Sequence, residues 1–112
     1  MELQTKRLIL RGEQLKDSVH TRFRVFLSST DEHIGDFYLH TTGHIHYCID
    51  EPHQGKGYCH EALKAISDCV CSFPIKPRLT IHRQNLKSQS CALKAGYVRT
   101  GVCDIYEYGN NL

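Results

Sequence analysis

The stretch Gln54-Gly55-Lys56-Gly57-Tyr58-Cys59 constrains this chain more than any other, because the hydrophobic period changes across it. Before it, His44-Ile45-His46-Tyr47-Cys48-Ile49 alternates as a half-buried strand does. After it, Leu63, Ile66, Val70 and Phe73 recur at helical spacing and form one apolar stripe over residues 61–73. Glycines and a lysine at a strand-to-helix junction make an anion-binding loop. Backbone N–H groups there point at the ligand, and the helix dipole adds to the attraction. The loop alone does not name its ligand.

The flanking segments supply a sheet for this loop to hang from. Residues 5–11 alternate around Leu8 and Leu10 and predict a first strand. Residues 12–19 leave room for little more than one short helix. Phe23, Val25 and Leu27 alternate again, and residues 34–39 follow the turn-rich Ser28-Ser29-Thr30-Asp31. With Thr41-Thr42-Gly43 leading into residues 44–49, the spacing predicts an antiparallel meander. On its last strand, Ile45, Tyr47 and Ile49 share the inward face, and His44, His46 and Cys48 share the other. Pro74 and Pro77 close the helix, and residues 78–82 form a short strand. A full helix between that strand and residues 44–49 predicts a right-handed parallel crossover. Asn85 caps a second helix that ends before Gly96, and residues 97–108 form one bent strand or a pair. The composite is an α/β (mixed α+β) sheet. Its ligand edge lies after Ile49 and at the start of the helix beyond His82.

Bulk properties narrow the function. The 112 residues suit one domain, and 40% hydrophobic against 23% charged residues allows a packed core. A net charge of only +2, without a basic block or an aromatic–basic stripe, argues against nucleic acid. The absence of a spanning apolar run argues against a membrane. The cysteines at 48, 59, 69, 71, 91 and 103 include no CxxC and no leader precedes them, so they are expected as free thiols in a cytoplasmic protein. His44, His46, His53 and His60 lack zinc-ligand spacing, and no metal is expected. No Gly-x-x-x-x-Gly-Lys-Ser/Thr motif supports a nucleoside-triphosphate enzyme.

Two separated motifs carry a family resemblance. Gln54-x-x-Gly57-x-Cys59 followed by Glu61-Ala62-Leu63 resembles the acetyl-CoA pyrophosphate loop of the GCN5-related N-acetyltransferases (GNAT family), with Cys59 where that family has glycine or alanine. Asn85-x-x-Ser88 with Lys94-Ala95-Gly96-Tyr97 resembles the family's Asn-x-x-Ser and Lys-x-Gly-Phe helix. Thr5-Lys6-Arg7-Leu8-Ile9-Leu10-Arg11 and Ile34-Gly35 also match, so the likeness spans nearly the whole chain in order. The subgroup it looks most like acetylates ribosomal-protein N-termini and amines (the RimJ/RimL type).

The resemblance implies one acetyl-CoA-binding domain over residues 1–112. It further implies a mostly antiparallel sheet with a central splayed parallel strand pair and flanking helices. Gln54, Gly55, Lys56, Gly57, Tyr58 and Cys59 would wrap the pyrophosphate, and the backbone of Tyr47, Cys48 and Ile49 would pair with the pantetheine arm. Asn85 and Ser88 would sit near the thioester. The implied chemistry is direct acetyl transfer to a primary amine of a protein N-terminus or a small molecule, by proximity, proton removal and oxyanion stabilisation.

Two of the family's acid–base positions are altered, to Ala92 and Thr80. His82 shares a strand face with Thr80 and is the candidate base, with Ser88 as a second catalytic candidate. Only residues 12–21 stand where the family usually places two helices, which implies an open acceptor side or one completed in a homodimer. A reduced protein that binds acetyl-CoA without transferring acetyl is the rival reading.

Overall fold

Alternating apolar residues take the first half of the chain into strands. The structure, a computed structural model, describes residues 1–101 and 104–109. Strands β1 (Glu2–Gln4), β2 (Leu8–Gln14), β3 (His20–Leu27), β4 (His33–His40) and β5 (Ile45–Ile49) form a five-stranded antiparallel meander in chain order. The short helix expected within residues 12–19 is absent. β2 runs on through Gln14, and a turn closed by the Leu15 N–H to the His20 carbonyl (2.8 Å) leads directly into β3. β1 lay outside the predicted strands, because three residues of mixed polarity carry no period.

Register explains the core. Leu10, Val25, Gly35 and Ile49 oppose one another in one row across four strands, and Gly12, Phe23, Phe37 and Tyr47 in the next. A methyl group on Gly12 would lie 2.8 Å from the Phe23 ring, so the second row closes only with hydrogen there. Helix α1 (Tyr58–Val70) covers this face with Ala62, Leu63, Ile66, Ser67 and Val70. Phe73, expected on the same stripe, falls beyond the helix and is 54% exposed. α1 also begins three residues before the expected start at residue 61, because Gly57 serves as its N-cap.

The second half is smaller. Strands β6 (Arg78–Thr80), β7 (Tyr97–Arg99) and β8 (Ile105–Tyr108) form a separate sheet in the order β6-β8-β7, so the segment from residue 97 to 108 is a strand pair. Helix α2 (Leu86–Lys94) buries Cys91 and Ala92, and Tyr97, Tyr106 and Tyr108 fill the core of this half. The Ser67 and Tyr97 hydroxyls share a buried 2.6 Å hydrogen bond that ties α1 to β7.

The central splayed parallel strand pair is not formed. Every pairing between named strands is antiparallel, and β5 and β6 belong to different sheets. Among the described residues, one isolated parallel bridge joins His44 to Arg78, with the Arg78 N–H donating to the Gly43 carbonyl at 3.0 Å. β6 is three residues long and is committed to β8, a commitment that Ile81 extends through its N–H to the Asp104 carbonyl (2.8 Å). Helical spacing between two strands signals a crossover, but it does not say which partner the second strand takes.

Candidate functional site

β5, the glycine loop and the two helices enclose a cleft of about 800 Å³. Tyr47, Cys48 and Ile49 come from β5, Gln54, Gly55, Gly57, Tyr58 and Cys59 from the loop and the first turn of α1, and Ser88 from α2. Segments thirty residues apart thus converge. β5 is the terminal strand of its sheet, so beyond the His44 bridge its outer edge has no ladder among the described residues. Such an edge presents main-chain donors and acceptors to whatever lies beside it.

The loop is shaped from several sides. The Gln54 side-chain amide donates to the Ile49 carbonyl at 2.8 Å, folding the loop back on β5. Gly55 (φ +77°) and Gly57 (φ +83°) occupy the left-handed region, where a side chain would be strained. No side chain caps α1 at Gly57, and the first N–H groups of a helix have no intrahelical acceptor. They therefore face the cleft end with a partial positive charge.

A second set of contacts fixes the loop from outside. Arg7 on the approach to β2 donates from Nη1 to the Lys56 carbonyl at 2.9 Å, and its guanidinium lies 4.5 Å from the centre of the Tyr58 ring. Its Nε meets Glu61 Oε1 at 2.7 Å, its backbone N–H meets Oε2 at 2.9 Å, and the Thr5 hydroxyl donates to the same oxygen. Burial alone would raise the Glu61 carboxyl. The bonds from Thr5 and Arg7 outweigh it and hold the group below the ordinary carboxylate value. Sequence reasoning placed Arg7 and Glu61 in motifs but missed this pairing, which spans 54 positions.

Tyr47 stacks on Phe37 with ring centres 5.0 Å apart. Its hydroxyl is buried, lies beside Ser88 and Cys91, and has no hydrogen-bond partner among the described residues. Burial pushes the phenol well up from its ordinary value, so it remains a protonated donor. The cleft also holds Lys87, Cys91 and Lys94. Their i, i+4, i+7 spacing on α2 was readable as one helical face.

Three expected site residues stand apart from the cleft lining. Lys56 is exposed and contributes its carbonyl to Arg7. Asn85 caps α2, its Oδ1 accepting from the Ser88 N–H at 3.2 Å. His82 is exposed, and its Nδ1 accepts from the Gln84 N–H at 3.1 Å. In that arrangement a neutral ring carries its proton on Nε2. Thr80 bonds through its hydroxyl to His44 Nε2 at 2.7 Å, and Ala92 is fully buried. No group of three or more His, Cys, Asp or Glu among the described residues can hold a metal ion. Nor is any described helix long and apolar enough to cross a membrane.

The sequence profile of the acetyltransferase (GNAT) domain matches residues 3–98, which include both walls of the cleft. The chain belongs to the GNAT acetyltransferase family. Solved GNAT-like structures share its fold. An acetyltransferase from Agrobacterium tumefaciens str. C58 superposes with a TM-score of 0.75 at 19% identity, covering 96% of this chain and 94% of that one. A GNAT-family acetyltransferase from Bacillus anthracis gives 0.77 at 16% identity, covering 96% of each chain. The spermidine N-acetyltransferase from Vibrio cholerae, solved with CoA and spermine, gives 0.67 at 22% identity over 77% of this chain and 55% of that one. No curated protein sequence matches the chain.

Proposed function

We propose that this GNAT-family chain is an acetyl-CoA-dependent N-acetyltransferase acting on the primary amine of a protein N-terminus, as the RimJ/RimL-type subgroup does, or of a small molecule. The observation that carries the reading is the cleft. Its glycine loop, free helix N-terminus, open strand edge and unpaired Tyr47 hydroxyl are brought together from separate segments.

These features fit acetyl-CoA part by part. The N–H groups at the start of α1, with Gly55 and Gly57 beside them, would take the pyrophosphate, and Lys87 and Lys94 add positive charge to the same cleft. The open edge of β5 at Tyr47, Cys48 and Ile49 would take the amide groups of the pantetheine arm by strand-like hydrogen bonding. Acetyl-CoA supplies the activated thioester, and the chain's residues orient it. Ser88 and the Tyr47 hydroxyl stand where they can donate to the sulfur or carbonyl end, and a β5 N–H can polarise the carbonyl. The amine proton leaves through water or to His82, which must first give up its bond from the Gln84 amide. The direct β2-to-β3 turn leaves the acceptor side open, to be occupied by a large acceptor or a second copy of the chain. Described cysteines that are all free suit the cytoplasm.

A second reading has one specific support. Ala92 is fully buried and Thr80 is engaged by His44, so neither offers a proton-transfer group where many family members have one. A protein that holds acetyl-CoA without turnover would tolerate that. Calorimetry with acetyl-CoA and CoA, followed by a thiol-release assay over amines and peptide N-termini, separates the readings. Binding with turnover supports the transferase, binding without turnover the reduced protein, and no binding removes both.

A further inference from the structure

Two cysteines meet at the floor of the cleft. Cys59 is the second residue of α1 and Cys91 lies within α2, yet their Sγ atoms are 2.7 Å apart. Both are free thiols. A disulfide has an S–S length of about 2.05 Å, so the two sulfurs need to close by only about 0.7 Å to form one. Neither side chain is sealed away, since both line the cleft, Cys91 at 8% exposure and Cys59 at more. Two other described cysteines are placed differently: Cys48 lies against the Ile49 carbonyl, and Cys69 faces the Met1 sulfur at 3.9 Å.

We propose that Cys59 and Cys91 are a reversible dithiol–disulfide site, oxidised by small hydroperoxides that enter the cleft, and that closing it weakens ligand binding there. The chemistry has a direction. The hydrogen bond between the two sulfurs holds the Cys91 thiol below its ordinary value, with the Lys94 charge assisting against burial, while the same bond and burial push Cys59 up. Cys91 is therefore the more readily ionised of the two, and it attacks. Its sulfur takes the distal oxygen of the peroxide as the O–O bond breaks, giving a sulfenic acid and an alcohol or water. The Cys59 sulfur then bonds to the Cys91 sulfur and displaces hydroxide, which leaves as water with the Cys59 proton. Two thiols have lost two electrons to one peroxide. The bond would draw the first turn of α1 toward α2, across the floor of the proposed acetyl-CoA cleft. That consequence rests on the functional reading above, whereas the disulfide does not.

The test begins with reduced protein treated with one equivalent of hydrogen peroxide, then alkylated and mapped by mass spectrometry. A Cys59–Cys91 cross-linked peptide is expected, reversed by dithiothreitol, lost in Cys91→Ser and Cys91→Ala, and kept in Cys69→Ser and Cys71→Ser. A Cys48–Cys59 link, or sulfinic acid at Cys91 without a cross-link, would overturn the site. Thermal melts of both Cys91 variants separate loss of reactivity from loss of fold. In calorimetry, oxidised wild-type protein should bind acetyl-CoA roughly tenfold more weakly and recover on reduction, since shifts of this size at a site change rates and affinities strongly. Unchanged affinity in the cross-linked protein would overturn the gating. If reduced protein binds no acetyl-CoA while the cross-link forms, the ligand assignment fails and the disulfide site stands.

Discussion

The two helices that border the cleft are held very differently. α1 spans thirteen residues, buries five of them against the meander, and is tied at its first turn by Glu61 to Thr5 and Arg7. α2 spans nine residues, buries two, and leaves Leu86 and Leu93 at 70% and 58% exposure. One wall is anchored by the main core, and the other rests on a three-stranded sheet. The lesson is a division of labour. On the proposed function, the anchored wall would carry the glycine loop, where geometry must be fixed before the pyrophosphate arrives, and the lightly held wall would carry side chains that adjust to the rest of the cofactor.

The largest test of that contrast is packing. Leu63→Ala should cost about 2–5 kcal/mol in urea denaturation, because the side chain is fully buried in α1. Leu93→Ala on the outer face of α2 should stay within about 0.5 kcal/mol. Equal losses would mean that the helices are equally anchored. Gly57→Asp comes next. It forces a side chain into the left-handed region and puts negative charge at the helix start, so acetyl-CoA binding should weaken about a hundredfold, about 2.7 kcal/mol. Wild-type affinity by calorimetry would remove this loop as the anion site.

A smaller effect is expected from Glu61→Gln, about 1–3 kcal/mol, since it breaks charge-assisted bonds at a half-buried carboxylate. The sign with pH follows from the lowered folded-state value. The contribution is complete above the ordinary 4.5 of the unfolded carboxyl and is lost as pH falls through the lower folded value. Denaturation at about pH 7 should show the full difference between wild type and variant, and at about pH 3 a diminished one. A constant difference would mean that the ion pair is not what anchors α1. Tyr47→Phe should be the mildest, weakening acetyl-CoA binding about three- to tenfold with little change in melting temperature, because the hydroxyl has no protein partner to lose. A marked loss of stability without loss of binding would assign that hydroxyl to the fold.

Much of the chain was legible from its residues. The alternation around Leu8, Phe23, Ile34 and Ile45 marked four strands of the meander, and the 3.6-residue period at Leu63, Ile66 and Val70 marked α1. The glycine loop and Ser88 were legible as neighbours through order along the chain, and the structure places them in one cleft. The β2–β3 turn was not legible, because Gln14 to Val19 carries no apolar period to favour strand over helix. Lys87 and Cys91 were missed although their helical spacing with Lys94 was present. The expected free thiol at Cys103 lies outside the described residues.

The residues by themselves determined most of the strand and helix segments, β1 and the β2–β3 turn apart, and where the glycine loop stands between them. Those properties depend on side chains a few positions apart and on the backbone freedom of single residues. Only the tertiary structure decided that β6 pairs with β8 rather than β5, that Arg7 grips Glu61, and that Cys59 touches Cys91. Each of these joins groups 25 or more residues apart, and such a pairing is chosen by how the whole core closes, which no local pattern records.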